Sequence, residues 1–282
     1  MDFFQALQET NFLRNTLVIG LLASVACGIV GSYVVARRIT YIAGGISHCV
    51  LGGIGAAHYV RVVYGWDWLS PLYGALAAAL LAALIIGLVS LRAKEREDTV
   101  IGALWSIGMA VGIIFLIKTP GYSSDLMSYL FGNILIVGPQ EIRLMLALDI
   151  VVVTATVVFY NQFMAVCFDE EYARLRGINV ELYYLLLLGM TAVTVVVMLA
   201  VVGIVLVIAL LTLPAAIGGQ FARSLWQMMG LATLLTVIVT VSGVVVSFPF
   251  DLPCGATIIV ISGGIYLAVT AGRGLWRLRR RA

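Results

Sequence analysis

The chain has 282 residues, of which 62% are hydrophobic and 11% are charged, and its formal net charge is +3. Soluble domains carry about 25% charged residues, so this composition excludes an ordinary soluble protein and predicts a polytopic membrane protein. The length fits a single transmembrane domain over residues 1–282. The four cysteines have no CxxC spacing, and we expect them to be small buried hydrophobic residues.

Nine apolar runs follow one another along the chain, and a helix needs about 20 such residues to cross the hydrocarbon core of a bilayer. The runs cover residues 12–36, 42–62, 70–91, 99–117, 142–165, 181–200, 203–219, 224–246 and 254–271. They predict an all-α, polytopic membrane helical bundle with about nine spans, within a range of eight to ten. A cleavable signal peptide has basic residues before its apolar run, and no basic residue precedes the first run here. We therefore expect that run to remain in the protein as a membrane span.

Two of these runs differ from a plain apolar span. Residues 42–62 contain several glycines and two histidines, and such small and polar residues favour close helix contacts away from lipid, at the centre of the protein. Residues 182–217 carry no charge and would be roughly 54 Å long as one helix. The sequence therefore predicts a hairpin or a broken helix there, with Gly203 as the break.

The lysines and arginines indicate how the chain is threaded. With the N-terminus outside and nine spans, 13 of the 17 basic residues fall on the cytoplasmic side. The other four are Arg14, Arg61, Lys118 and Arg143. Because cytoplasmic loops are enriched in Lys and Arg, this asymmetry predicts an outside N-terminus and a cytoplasmic C-terminus.

Two segments outside the spans have simple interpretations. Residues 126–137 are apolar but too short to span, so we expect a short helix that lies at the outer surface or dips into a cavity. The basic tail, residues 277–281, is expected to anchor the last helix at an anionic lipid surface. We therefore expect membrane lipid, and no nucleic acid, as the partner of this tail.

The sequence lacks the motifs of a nucleotide hydrolase. It has no GxxxxGK[ST] pattern, and its only lysines are Lys94 and Lys118, so it cannot form a Walker A loop. It also lacks HExxH and a serine-nucleophile elbow. We therefore expect a transport subunit that is not itself an enzyme and binds no covalent cofactor, with any ATP on a partner subunit.

Five short motifs occur in one order along the chain. They are GSYVVARR at 31–38 running into ISHCVLGG at 46–53, EDTVIG at 97–102, DLMSYLFGNIL at 125–135, FDEEYARLRG at 168–177 and ALLTLPAA at 209–216. Together they resemble the permeases of zinc-, manganese- and iron-type ATP-binding-cassette (ABC) importers over about residues 16–270. The resemblance implies a permease homodimer in the prokaryotic plasma (inner) membrane, cytoplasmic ATPase subunits and an extracytoplasmic substrate-binding protein.

The segment 168–178 is predicted to be a short polar helix between two spans. Its acidic start and basic end suit the helix dipole, and a glycine supplies a C-terminal stop. The resemblance identifies it as the coupling helix that docks onto the ATPase. Its candidate coupling residues are Asp169, Glu170, Glu171, Ala173, Arg174, Arg176 and Gly177.

His48 is the main candidate for the metal route, because neutral imidazole binds zinc, manganese and iron. Position 44 lies one helical turn earlier on the same face. The family commonly has aspartate there, in an Asp-x-x-x-His pair, whereas this chain has Gly44. Ser47 and Cys49 flank His48 but project to other faces, so neither is expected to be a ligand.

Three other polar residues have two interpretations each. His58 lies nearly three turns after His48 and is either a second metal position or an interfacial histidine. Asp149 is a carboxylate inside the fifth run and is either part of the metal route or a residue that reaches water near the outer end of its span. Asp251 lies between prolines, where a turn or capping role is favoured over metal entry.

These observations predict the permease subunit of an ATP-driven importer of divalent transition metal ions, working by alternating access. Because Gly44 removes the expected carboxylate, an importer of a metal chelate or a small organic solute is the first alternative. An ATP-independent secondary carrier is the second, but the chain shows neither inverted repeats nor charged midplane pairs.

Overall fold

The computed structural model describes residues 11–92, 97–120, 138–250 and 252–279. This part of the chain folds into ten α-helices. We number them in chain order as α1 (Asn11–Ala36), α2 (Thr40–Tyr64), α3 (Pro71–Arg92), α4 (Glu97–Lys118), α5 (Pro139–Phe168), α6 (Glu170–Leu175), α7 (Val180–Val202), α8 (Ile204–Phe221), α9 (Leu225–Phe250) and α10 (Cys254–Arg279). The nine long helices coincide with the nine apolar runs, which confirms the predicted all-α bundle.

Eight of the described helices are long and apolar enough to cross a membrane. The ninth long helix, α2, has 25 residues and carries the glycines and both histidines. It packs against α3 and α4 through those glycines. A Cβ atom at Gly52 would lie 2.8 Å from the carbonyl oxygen of Gly108, and one at Gly55 would lie 2.6 Å from that of Gly112. The small residues thus let the backbones of α2 and α4 approach each other closely.

Gly203 is the only residue between α7 and α8. Its φ of 83° and ψ of 162° belong to a region that is essentially restricted to glycine. The uncharged stretch is therefore divided at the predicted break, into helices of 23 and 18 residues.

Helix α5 is longer than its apolar run and contains a kink. It starts at Pro139, whose fixed φ suits the first helical turn, and the Gly138 N–H donates to the Glu141 carboxylate at 2.9 Å. At Phe159 the backbone leaves helical geometry, with φ −108° and ψ 19°. Neither Pro nor Gly occurs at this position, so the kink was not predicted from the sequence.

Helix α1 packs on three other long helices, α5, α8 and α9. Its Tyr33 is fully buried and meets the ring of Phe163 from α5 edge-on, with centroids 5.4 Å apart.

Three sequence-based predictions lie outside the described residues: the surface helix at 126–137, the turn at Asp251 and the side chains of the basic tail.

Candidate functional site

A cavity of about 470 Å³ lies beside the turn between α1 and α2. Five helices, α1, α2, α4, α8 and α10, contribute to its wall. The lining residues are Val35, Thr40, Tyr41, Gly44, Trp105, Ile208, Thr212, Leu213, Ala216 and Tyr266. The wall is largely apolar, and its polar groups are hydroxyls and one indole. The described lining residues thus offer a cation weak oxygen ligands and no carboxylate.

Gly44 occupies the position at which the family resemblance leads one to expect aspartate. It lies in the cavity wall, and a Cβ atom built on it would have no heavy atom within 4 Å. A larger side chain would therefore fit at this position. The packing does not require glycine here, and the carboxylate is missing only because the sequence has no aspartate at position 44.

His48 lies on α2 one turn beyond Gly44 and is half-buried. Its ring stacks on Trp105 of α4, with centroids 4.2 Å apart and planes 9° apart, and its Nδ1 is buried without a hydrogen-bond partner. Trp105 lines the cavity, whereas His48 itself does not. The structure thus places Gly44 and Trp105 in the cavity wall, and His48 stacks on Trp105 without being one of the lining residues.

The neighbours of His48 are engaged elsewhere. The Ser47 hydroxyl donates to the carbonyl of Ala43 at 2.8 Å, and Cys49 Sγ lies 3.1 Å from the carbonyl oxygen of Leu104. Both contacts are with helix backbone, and neither side chain lines the cavity.

The two secondary metal candidates lie away from this wall. His58 is ten residues after His48 on the same helix, a rise of about 15 Å, and is half-buried. Asp149 is buried on α5 and faces α1 at Ala26 and Cys27. Among the described residues, no three His, Cys, Asp or Glu side chains are arranged to hold a metal ion.

Helix α6 is capped at both ends. The Asp169 carboxylate accepts a hydrogen bond from the Tyr172 N–H at 2.9 Å, which satisfies an N-terminal donor. At the other end Gly177 adopts a φ of 74°, and the Ile178 N–H donates to the Ala173 carbonyl at 3.0 Å. This is the glycine-terminated geometry that the sequence predicted.

The sides of α6 differ sharply in exposure. Ala173 is fully buried against the bundle, whereas Leu175 is 87% exposed. Phe168 at the end of α5 and Tyr172 are also exposed. We use the name apolar face of α6 for the exposed side chains of Tyr172 and Leu175 on α6 together with Phe168, which ends α5. This face was not predicted from the sequence, although Tyr172 and Leu175 are three residues apart, a spacing that places two side chains on the same side of a helix.

Arg37 was not predicted as a functional residue. It follows the last residue of α1, and its guanidinium is ion-paired with the Glu170 carboxylate in the first turn of α6. The sequence contained no signal for this pair, because 133 residues separate the partners.

Comparison with known proteins identifies the family of the chain. The chain matches the ABC 3 transport family over residues 9–273. It is 40% identical to a probable metal transport system membrane protein of Chlamydia trachomatis, over 90% of this chain and 86% of that protein. It is 32% identical to the manganese transport system membrane protein MntC of Listeria monocytogenes, over 94% of this chain and 92% of that protein.

The fold is also found in a solved structure. PsaBC from Streptococcus pneumoniae in complex with Fab matches with a TM-score of 0.82 and 29% identity, over 95% of this chain and 94% of that one. The resemblance inferred from the five motifs is therefore confirmed. The chain belongs to the ABC 3 transport family and is a multi-pass membrane permease of the metal-transporting ABC type.

Proposed function

We propose that this chain is the permease subunit of an ATP-driven importer of a divalent transition metal ion, zinc, manganese or iron, with one permease domain over residues 1–282. The observation that carries the proposal is α6, a capped helix with one buried side and one exposed apolar face. Such a helix can receive a rigid-body displacement from a soluble subunit and pass it to the spans on either side. The names of the relatives support a metal as the cargo.

In this proposal α6 lies in the cytoplasm and docks onto a separate ATPase. Its charged residues and Gly177 keep the helix formed, Ala173 seats it on the bundle, and the apolar face contacts the partner. The positive-inside distribution of Lys and Arg supports this orientation. A homodimer of the permease and an external binding protein complete the assembly.

The metal route runs along the cavity wall that contains Gly44, with His48 as the first candidate ligand. The unpartnered Nδ1 of His48 supports this role. Ligation by one imidazole and a few hydroxyls is weak, and weak ligation suits transport because an ion that binds must also leave. His58 and Asp149 are secondary candidates.

One observation favours a different cargo in the same architecture. Among the described residues the cavity wall contains no carboxylate and is largely apolar, which suits a metal chelate or a small organic solute better than a bare ion. Measuring transport of Mn²⁺ against a Mn²⁺ chelate of matched concentration separates the two. An ATP-independent carrier is tested by whether an ATPase co-purifies with the permease.

The test of the metal route is metal-stimulated ATP hydrolysis by the assembly reconstituted with its co-purifying ATPase. We expect His48→Ala to abolish stimulation by Mn²⁺, Zn²⁺ and Fe²⁺ while subunit stoichiometry is unchanged. Gly44→Asp is expected to lower the half-saturating metal concentration, because it adds a carboxylate one turn from His48. Cys49→Ala is the matched control. Unchanged stimulation in His48→Ala would remove this histidine from the route.

A further inference from the structure

A short series of polar contacts connects α6 to the turn between α1 and α2. Arg37 begins that turn, and its guanidinium pairs with the Glu170 carboxylate of α6. The side chains of Arg37 and Glu170 are only 22% and 33% exposed. An ion pair that is partly shielded from solvent is less weakened by salt than one at the open surface.

Arg37 has a second contact on its other side. Its guanidinium carbon lies 5.2 Å from the ring centroid of Tyr184, a buried residue of α7. The Tyr184 hydroxyl is in turn 3.3 Å from the hydroxyl of Ser90 on α3. A cation over an aromatic face is attracted by the ring quadrupole. The Arg37 side chain is therefore held between α6 and α7 and does not extend freely into solvent.

Helix dipoles favour this placement of the two charges. Arg37 lies at the C-terminal end of α1, where a positive charge is stabilised, and Glu170 lies in the first turn of α6, where a negative charge is stabilised. Each residue thus suits its own helix as well as its partner.

The turn that Arg37 begins is short and hydrogen-bonded. The N–H groups of Arg38 and Ile39 donate to the carbonyls of Val35 and Val34, at 3.1 and 2.9 Å, and Arg38 has a φ of 63°. Helix α2 starts immediately afterwards at Thr40. These bonds join the end of α1 closely to the start of α2.

The start of α2 is part of the cavity wall. Thr40, Tyr41 and Gly44 line the cavity, and Val35 of the last turn of α1 lines it as well. Arg37 thus lies between a wall of the cavity and the helix that, in the proposed function, receives the movement of the ATPase.

We infer that Arg37 is a positioning residue that transmits the displacement of α6 through its pair with Glu170 to the α1–α2 turn and the cavity wall. This inference rests on the proposed function, because it assigns α6 the role of coupling helix. It adds a specific route from α6 to the cavity. This route passes through the side-chain pair of Arg37 and Glu170 to the α1–α2 turn, whereas a route along the chain would pass through α5 or α7.

The chain provides a matched control in a second ion pair. Arg92 at the end of α3 and Glu181 in the first turn of α7 are 3.1 Å apart, with side chains 67% and 48% exposed. This pair also joins the end of one helix to the start of another, but it involves neither α6 nor the α1–α2 turn. Breaking this pair should lower the stability of the protein by the same amount as breaking the Arg37–Glu170 pair, or by less. It should leave the transmission from α6 to the cavity wall intact.

The test uses the complete assembly with the co-purifying ATPase in lipid nanodiscs, with a nitroxide label on Thr40→Cys at the cavity wall. The native cysteines among the described residues are buried, so background labelling is low. The measured quantity is the change in the label's spectrum when the assembly is trapped with ATP and vanadate. Thermal unfolding and basal ATP hydrolysis are measured on each variant as checks of fold and assembly.

We expect Arg37→Gln and Glu170→Gln each to reduce the ATP-dependent change at Thr40 by about fivefold or more, as the loss of a coupling contact does. The double variant should be no worse than either single variant, because both remove one shared interaction. Arg92→Gln should leave the change intact.

Two failures are distinguishable. If no ATPase co-purifies, or if ATP hydrolysis by the unmodified assembly is not stimulated by Mn²⁺, Zn²⁺ or Fe²⁺, the proposed function itself is wrong. If hydrolysis is stimulated but the label at Thr40 does not respond, the proposed function stands and the route through Arg37 is refuted. If the label responds in the unmodified assembly and equally in Arg37→Gln, the coupling function stands and the role of Arg37 is refuted. An equal loss in Arg92→Gln would also refute it, because the effect would then be one of general stability.

Discussion

At the scale of single residues, the glycines of α2 serve two different purposes. Gly52 and Gly55 lie against the backbone of α4, where no larger residue fits. Gly44 has open space beside it and faces the cavity. The same residue type therefore supports packing in one part of the helix and shapes the cavity wall in another.

This difference predicts opposite effects of the same substitution. Gly52→Ala should lower the free energy of unfolding by about 1–3 kcal/mol, because the new methyl group overlaps the Gly108 carbonyl. Gly44→Ala should be neutral or raise stability by up to about 1 kcal/mol, because alanine favours the helix. Thermal unfolding of both variants in the same detergent measures the difference, and equal destabilisation would contradict the packing described for α2.

The sequence predicted candidate site residues but not their surroundings. His48 and Gly44 were selected because their spacing places them on one face of a helix. Trp105, which stacks on His48, lies on another helix and carries no motif that singles it out. Arg37 and Glu170 were each visible, but their pairing depends on how three helices pack. Contacts between distant segments are decided by tertiary packing, which a single sequence does not record.

At the scale of elements, α6 is determined mostly by local chemistry. Its N-cap at Asp169 and its C-terminal glycine at Gly177 could be predicted because capping depends on a few adjacent residues. The break at Gly203 was predictable for the same reason. The kink in α5 at Phe159 was not, since nothing in the adjacent sequence breaks a helix.

The apolar face of α6 gives a prediction for assembly. Leu175→Asp should abolish co-purification of the ATPase, because it places a charge in the docking surface, while the permease itself folds normally. Phe250→Asp is the matched control: Phe250 is 70% exposed at the end of α9, on the predicted outer side. Pull-down of the tagged permease measures both. Retention of the ATPase by Leu175→Asp would exclude this face as the docking surface.

At the scale of the whole molecule, the number and order of the long helices among the described residues follow from hydrophobicity, whereas the short helix α6 follows from its capping residues. Nine runs in the sequence became nine long helices, because each backbone in a bilayer must satisfy its own hydrogen bonds. The orientation in the membrane is a separate prediction, and it decides which end of the bundle can meet an ATPase.

That orientation is testable with engineered cysteines in intact cells or sealed spheroplasts. In cells that express the permease without its ATPase, so that Leu175 is not covered by the proposed docking, Leu175→Cys should react with a membrane-impermeant maleimide only after the cytoplasmic side is opened. Trp68→Cys, exposed between α2 and α3, should react from outside without permeabilisation. The reverse pattern would place α6 outside and would remove the basis for coupling to a cytoplasmic ATPase.

The most direct test of the central claim is ATP-driven metal uptake into proteoliposomes that contain the purified permease and its ATPase, supplied with the external binding protein. The account predicts accumulation of Mn²⁺, Zn²⁺ or Fe²⁺ that requires ATP hydrolysis and is lost in Leu175→Asp. Uptake that proceeds without the ATPase, or ATP hydrolysis without uptake of any of the three ions, would contradict it.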